Sequence, residues 1–258
     1  MRSPESHLLN RRWLIPITNL CNKACGGCAQ LCGHFPPDKI WILPLAEIDR
    51  TIRLLKPFTG PHRNYNELTI FGGEPTLHPQ WEEVRRLVHS HAPFQFRVNT
   101  NGRLGHTPFQ REQNITYYVD PHPDDQLFHT TMVAAQDVLT LTTPEAYWEK
   151  AQKDCLIWDR EGAMVYNGKA YYCEHAAAMD WLFYGGANGW PLVEGVNPFD
   201  RTAAEIEAQA RLFCHRCGWC VPELTRQRVG DKMHVSPTNS AYFKREELVQ
   251  LIVPNRNL

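Results

Sequence analysis

The stretch that decides the fold lies near the start of the chain and reads Trp13-Leu14-Ile15-Pro16-Ile17-Thr18-Asn19-Leu20-Cys21-Asn22-Lys23-Ala24-Cys25-Gly26-Gly27-Cys28. Its apolar first part predicts a buried strand. Its second part puts three thiols on one short loop, with the spacing C-x3-C-x2-C. Because the loop leaves the carboxyl end of a strand, we expect the thiols at the edge of the sheet where barrel-type α/β enzymes carry their active sites.

Three thiols on one loop can bind metal in two ways. Cys21, Cys25 and Cys28 can ligate three irons of an iron–sulfur cube and leave the fourth iron open. Zinc is the alternative, because it takes four ligands and Cys32 or His34 could supply the last one. The spacing alone leaves both possibilities open.

Composition restricts the class of protein. The 258 residues carry a net charge of −1, with 43% hydrophobic and 21% charged residues, which is ordinary for a globular protein. This charge gives no reason to expect a nucleic-acid or membrane partner. The sequence shows neither a long apolar run nor a secretory signal, so we expect a cytoplasmic protein. Its nine cysteines are clustered, which in a reducing compartment favours metal ligation.

Hydrophobic periodicity predicts an alternation of strands and helices. Strands are predicted at residues 13–18, 68–71, 94–98, 115–119 and 138–141, and helices at 45–55, 81–88 and 144–153. This order indicates parallel βαβ units, and therefore an α/β domain over residues 1–150. In residues 151–258, Asn167-Gly168 predicts a hairpin, and helices are predicted near 176–183, 203–213 and 242–252. We expect this part to be a small cysteine-bearing α+β domain.

Polar motifs follow the predicted strands. Gly72-Gly73-Glu74-Pro75 comes after the second strand, where glycines allow a ligand close to the backbone and a carboxylate suits an ammonium group. Asn99-Thr100-Asn101-Gly102 follows the third strand. Asp120 and His122 follow the fourth, and we expect them to contact the substrate or to act as its base, although a solvated loop would look the same.

The thiol loop together with these motifs resembles the radical S-adenosylmethionine (SAM) superfamily. The resemblance covers residues 12–145 and implies a partial (β/α)6 TIM-like barrel. It implies that Cys21, Cys25 and Cys28 hold a [4Fe–4S] cluster and that SAM binds the open iron. An electron from a flavodoxin- or ferredoxin-type reductant would then cleave SAM to a 5′-deoxyadenosyl radical. The residues that the resemblance assigns to SAM are Gly72, Gly73, Glu74, Pro75, Asn99, Thr100 and Asn101.

Two positions depart from the family pattern. The family usually has an aromatic residue just before the third cysteine, where this chain has Gly27. Cys32 is surplus to the motif. We interpret Cys32 either as a buried thiol or as a catalytic contact that returns a hydrogen atom to a carbon radical.

A second group of cysteines lies in residues 151–258. Cys155 and Cys173 form C-x12-G-x4-C, and Cys214, Cys217 and Cys220 form C-x2-C-x2-C. A zinc ribbon is one interpretation. Behind a radical SAM core, the pattern also resembles SPASM/twitch extensions, and among them the aminocyclitol dehydrogenase subgroup. That resemblance implies an auxiliary [4Fe–4S] cluster, for which we choose Cys155, Cys173, Cys214 and Cys217, with Cys220 as the spare.

Three functions are compatible with these features. The first is oxidation or rearrangement of a small polar metabolite, such as a sugar, aminocyclitol or nucleotide, because no peptide-recognition domain is recognisable. The second is radical modification of a ribosomally made peptide by epimerisation, crosslinking or oxidation. The third, which is not enzymatic, is a zinc-stabilised binding module.

Overall fold

The computed structural model describes residues 12–23, 28, 30–32, 35, 37–59, 67–120, 134–155 and 163–221, and the backbone of two further short strands. Eight strands form the main sheet: β1 Trp13–Pro16, β2 Glu67–Phe71, β3 Gln95–Thr100, β4 Arg111–Glu112, β5 Ile115–Val119, β6 Ala163–Tyr166, β7 Lys169–Tyr171 and β8 Trp190–Pro191. The helices are α1 Leu45–Leu55, α2 Trp81–Ser90, α3 Ala135–Val138, α4 Pro144–Asp154, α5 Glu174–Tyr184 and α6 Ala203–Phe213. The two separate strands, β9 His234–Val235 and β10 Val249–Gln250, pair in parallel.

The strand order in the main sheet is β4-β5-β3-β2-β1-β6-β7-β8. The neighbours from β5 to β6 are parallel, whereas β4, β7 and β8 pair antiparallel to their neighbours. This is a mixed α/β fold with a mostly parallel sheet, consistent with the predicted partial barrel. Parallel strands bring their carboxyl ends to one edge, which is where the thiol loop and the polar motifs emerge.

The helices that cover the sheet follow from apolar spacing. In α1, Ile48, Ile52 and Leu55 are buried on one face, and in α2 the buried residues Trp81, Val84 and Val88 recur in the same way. Both helices confirm the prediction from periodicity. Their apolar faces pack into one core with the buried side chains of the parallel strands. None of the helices in the described ranges is long and apolar enough to cross a membrane.

The hairpin at Asn167-Gly168 is confirmed, and it joins the main sheet. Both turn residues have positive φ, 47° for Asn167 and 73° for Gly168, as a type I′ turn requires. The first strand of the hairpin, β6, lies directly beside β1 in parallel. Residues after 150 therefore extend the sheet of the preceding part, and the division into domains 1–150 and 151–258 stays a prediction.

The predicted fifth strand, at 138–141, is wrong. Residues 135–138 form the single helical turn of α3, and the chain after it pairs with no described strand. The Tyr147 hydroxyl lies 3.3 Å from the carbonyl oxygen of Leu139 and 3.0 Å from that of Leu141. A side chain on α4 thus replaces a strand as the hydrogen-bond partner of this segment.

The predicted last helix is also wrong at residues 249–250, which form β10. The rest of that prediction lies outside the described residues.

Candidate functional site

The segment leading into the thiol loop is held by the glycine motif at the end of β2. The backbone N–H of Gly73 donates to the carbonyl oxygen of Thr18 at 2.8 Å, and that of Glu74 donates to the carbonyl oxygen of Leu20 at 2.8 Å. These two hydrogen bonds continue the pairing of β1 with β2 beyond the sheet. They fix the backbone immediately before Cys21.

The two glycines are required by this close approach. A Cβ on Gly72 would lie 2.3 Å from the carbonyl oxygen of Thr18, and one on Gly73 would lie 2.2 Å from that of Leu20. Gly72 also has a φ of +148°, which side chains rarely adopt. The glycines were predicted to admit a ligand. That expectation stays a prediction, and the close approach that the structure shows is that of the backbone of residues 18–20.

Glu74 is 0% exposed, and its carboxylate is occupied by four hydrogen-bond donors. Oε1 accepts from the backbone N–H of Thr76 at 3.1 Å, from the Thr76 hydroxyl at 2.5 Å and from the Thr100 hydroxyl at 2.7 Å. Oε2 accepts the backbone N–H of Asn101 at 2.7 Å. These contacts join the end of β2 to the end of β3. The assignment of Glu74 to SAM stays a prediction.

Asn101 joins the third strand end to the thiol loop. Its side-chain nitrogen donates to Oδ1 of Asn22 at 2.8 Å and lies 4.0 Å from Sγ of Cys21. Thr100, at the end of β3, is buried, and Pro75 is buried at the start of a 3-10 turn, Pro75–Leu77. The ends of β1, β2 and β3 therefore meet at Cys21, as expected from the parallel order.

The remaining thiols of the first group are only partly described. Cys25 and Gly27 lie outside the described residues, as does His34. Cys28 is half-buried, and the hydrogen-bonded thiol of Cys32 lowers the pKa of Cys28 against the effect of burial. A lowered pKa favours the thiolate, which is the form that ligates iron. Cys32 itself is buried, with its Sγ 3.7 Å from the carbonyl oxygen of Gln30.

The substrate residues predicted after β5 are also only partly described. Asp120 is exposed directly after β5, and its backbone N–H donates to the carbonyl oxygen of Thr100 at 2.9 Å. Its side chain therefore starts from the same edge of the sheet as the glycine motif. His122 lies outside the described residues.

The second group of cysteines surrounds a cavity of about 400 Å³, a volume that includes the space open at its mouth. Cys155 follows α4, Cys173 precedes α5, and Cys214 and Cys217 follow α6. These are the four cysteines that the sequence selected, and Cys220 is absent from the lining. The full lining is Trp148, Ala151, Cys155, Tyr172, Cys173, His175, Ala176, Met179, Phe213, Cys214, Cys217 and Trp219.

The thiols of this cavity lie in an apolar environment. Burial raises the pKa of Cys214 and of Cys217 well above the ordinary value, and the neighbouring thiols of Cys155 and Cys173 raise both further. Several thiolates can coexist here only if cations compensate them, as the irons of a cluster do. Sγ of Cys173 also accepts the backbone N–H of Ala176 at 3.3 Å, at the amino end of α5.

The four thiols fit the donor set of a four-iron cluster, and four cysteines can also hold a zinc ion. Among the described side chains, no three of His, Cys, Asp and Glu converge closely enough to hold one metal ion. A four-iron cube spreads its thiolates over four separate irons around a central volume, whereas zinc draws its ligands onto one point. Which of the two this cavity would hold stays a prediction. The identity of the ligands stays a prediction.

Helix α5 connects the two groups of cysteines. Its amino end carries Cys173, while Ala178 and Leu182 farther along pack against Leu31 and Phe35, which follow the thiol loop. A further hydrogen bond, at 2.6 Å, runs from Nζ of Lys39 to the carbonyl oxygen of Leu182. One helix thus follows a candidate ligand at its amino end and packs against residues that come after the thiol loop.

Sequence reasoning missed two residues of these sites. Thr76 supplies two of the four hydrogen-bond donors to Glu74. Its position two residues after Glu74 is the feature of the sequence that could have indicated this contact. The Tyr172 hydroxyl lies 3.2 Å from Sγ of Cys214. In the sequence, only the position of Tyr172 next to Cys173 could have indicated this contact, since Cys214 is 42 residues away.

Comparison with known proteins agrees with the first of these sites. No curated protein matches the chain. Residues 15–117 match the model of the Radical SAM superfamily. The match includes Cys21, Cys25 and Cys28 with the glycine motif and the end of β3, and it stops before Cys155. The chain therefore carries a Radical SAM superfamily domain at residues 15–117.

Proposed function

We propose that this chain is an enzyme that cleaves SAM at a [4Fe–4S] cluster held by Cys21, Cys25 and Cys28, and that a second cluster at Cys155, Cys173, Cys214 and Cys217 serves the same reaction. Its substrate is a small polar metabolite, such as a sugar, an aminocyclitol or a nucleotide, which is oxidised or rearranged. A flavodoxin- or ferredoxin-type protein supplies the electron.

The observation that carries the first half of the proposal is the convergence of three strand ends on Cys21. The backbone of Gly73 and Glu74 holds the segment before Cys21, and Glu74 holds Asn101, whose side chain reaches the loop. This arrangement holds the segment before Cys21 beside the glycine motif, to which the proposal assigns the ammonium group of SAM. A bound cluster with SAM supplies a 5′-deoxyadenosyl radical, which removes a hydrogen atom from a C–H bond.

The second half is supported by the cavity between Cys155, Cys173, Cys214 and Cys217. Residues from three separate segments bring thiols to its wall, and Cys220 is not among them. Oxidation of an alcohol removes a hydrogen atom, a proton and one further electron. The auxiliary cluster supplies an acceptor for that electron.

Among the described residues, Asp120 is the candidate base that accepts the proton removed from the substrate. Its carboxylate is exposed at the edge of the sheet that carries the thiol loop, where it can accept a proton or bind a hydroxyl or amino group. His122 is the second candidate. A polar metabolite matches these groups better than an apolar one, since each of its hydroxyls can pair with them.

The test is SAM cleavage by anaerobically reconstituted protein, reduced with dithionite or flavodoxin, with 5′-deoxyadenosine measured by mass spectrometry. We expect its formation, and a faster rate with a substrate from the three metabolite classes. Cys21→Ala should abolish it, whereas Cys220→Ala, outside the cavity lining, should not. Reduced, iron-loaded protein that leaves SAM intact would overturn the proposal. Stimulation by a peptide alone would move the substrate to the peptide class.

A further inference from the structure

The hydroxyl of Tyr172 reaches into the cavity between the second group of cysteines. It lies 3.2 Å from Sγ of Cys214, and either atom could donate. When Cys214 ligates iron it is a thiolate with no proton, so the phenol must be the donor. A tyrosine phenol is protonated at neutral pH. The ligated state therefore has a hydrogen bond from Tyr172 to a sulfur ligand.

The position of Tyr172 is fixed from two directions. The side chain is 4% exposed, and its backbone N–H donates to Oε1 of Gln209 at 2.8 Å. Gln209 is itself buried on α6, the helix that leads to Cys214. Its Nε2 lies 3.2 Å from the carbonyl oxygen of Asn188 and 3.4 Å from that of Ala170. The phenol therefore has little freedom to turn away from the thiol.

From this geometry we infer that Tyr172 is a positioning residue for the auxiliary cluster, whose reduction potential it raises by donating a hydrogen bond to Cys214. The inference rests on the proposed auxiliary cluster. A donor withdraws negative charge from the thiolate and so stabilises the reduced form of the cluster, which carries one electron more. The effect is strengthened here because Tyr172 and Cys214 are both buried. A higher potential makes the cluster a better acceptor for the electron left by substrate oxidation.

The neighbouring Tyr171 offers a matched control. It is 0% exposed, so its burial is comparable, but its hydroxyl donates to Oδ2 of Asp180 at 2.7 Å instead of to a thiol. Tyr171→Phe and Tyr172→Phe each remove one buried hydroxyl from adjacent positions. Only the second removes a hydrogen bond to a candidate cluster ligand.

The experiment is a redox titration followed by electron paramagnetic resonance. The full-length chain carries Cys21→Ala, Cys25→Ala and Cys28→Ala, so that the auxiliary cluster alone gives the signal. We expect Tyr172→Phe to lower its reduction potential and Tyr171→Phe to leave it unchanged, with equal iron content in both. An unchanged potential in Tyr172→Phe, or an equal shift in both variants, would overturn the inference.

A second measurement covers the case in which Tyr172→Phe fails to take up iron. The chain with an intact Tyr172 is produced with 3-fluorotyrosine, whose more acidic phenol donates a stronger hydrogen bond. The potential should then rise, and the rise should persist when Tyr171→Phe is added. No rise would overturn the inference. If the chain that lacks Cys21, Cys25 and Cys28 but keeps Tyr172 holds no iron, the proposed auxiliary cluster itself fails. This outcome is distinct from an unchanged potential, which overturns only the inference about Tyr172.

Discussion

The carboxylate of Glu74 accepts the backbone N–H of Asn101 at 2.7 Å, and this contact ties the end of the second strand to the end of the third. Three more donors, from Thr76 and Thr100, complete its hydrogen bonds. Oε1 has three of these donors and Oε2 has one, so both oxygens of the buried carboxylate are hydrogen-bonded within the chain. The assignment of Glu74 to SAM stays a prediction, and these contacts give Glu74 a structural role, which is to hold the two strand ends together.

Glu74→Gln tests this role. The substitution turns an amide NH₂ towards backbone and hydroxyl donors, so that at least one buried hydrogen bond is lost. We expect a loss of about 1–3 kcal/mol in the free energy of unfolding, the usual cost of an unsatisfied buried group. SAM affinity, measured by calorimetry, should fall as well. The control is Glu83→Gln, an exposed partner of Arg86 on α2, which should change neither quantity measurably. An unfolding free energy as high as that of the wild type would contradict the account.

Gly73→Ala tests the close approach of the two backbones. A methyl group 2.2 Å from the carbonyl oxygen of Leu20 forces the segment before Cys21 to move. We expect the first cluster to be lost, so that iron falls from about eight to about four per chain. Gly105→Ala is the control, because it adds the same methyl group where nothing lies within 4 Å of the added atom, even though Gly105, unlike Gly73, has a positive φ of 76°. If Gly73→Ala keeps its full iron content, the backbone contact is not what holds the loop.

The choice between Cys217 and Cys220 gives a third prediction. Cys217 lines the cavity, whereas Cys220 is buried with its Sγ 3.8 Å from the carbonyl oxygen of Cys217. We expect Cys217→Ala to lose about four irons and Cys220→Ala to keep about eight. The two variants remove the same chemical group three residues apart, so each serves as the control for the other. The opposite result would make Cys220 the ligand.

Stability against acid gives a fourth prediction, at the far edge of the sheet. Partial burial opposes ionisation of Glu112, but hydrogen bonds from Arg85 and Tyr117 outweigh it and lower the pKa of Glu112. A carboxyl whose pKa is lower in the folded state stabilises the fold above its unfolded pKa of about 4.3. That contribution is lost as the pH falls through the folded value.

The measurement is urea unfolding of the wild type and of Glu112→Gln at pH 7 and pH 3.5. The difference in unfolding free energy between the two proteins should be large at pH 7 and smaller at pH 3.5. A difference that does not depend on pH would show that the ion pair with Arg85 contributes nothing.

The local elements of the fold could be predicted from the sequence. Apolar spacing located α1 and α2, and Asn167-Gly168 located the hairpin turn, because each signal lies within a few residues. The position of β6 beside β1 could not be predicted in this way, since it depends on pairing between strands about 150 residues apart. The helical turn at 135–138 could not be predicted for a related reason. The segment that follows it is hydrogen-bonded to the hydroxyl of Tyr147, which lies on a later helix.

The same division applies to the candidate sites. The family resemblance together with cysteine spacing predicted Cys155, Cys173, Cys214 and Cys217 as ligands, although Cys217 and Cys220 offer the same spacing; the structure places the first four around one cavity. Cysteine spacing could not predict which other side chains contact a ligand residue. Glu74 accepts hydrogen bonds from Thr100 and Asn101, and Tyr172 contacts Cys214. In both cases the contact joins residues that are distant in the sequence.

The most direct test of the central claim is the metal and sulfide content of anaerobically reconstituted protein. Iron, acid-labile sulfide and zinc are measured on the same sample, for the wild type and for Cys155→Ala. Two clusters predict about eight irons and eight sulfides in the wild type and about four of each in Cys155→Ala. Four irons in both proteins would contradict the auxiliary cluster, and zinc without iron would contradict the SAM-cleaving cluster as well.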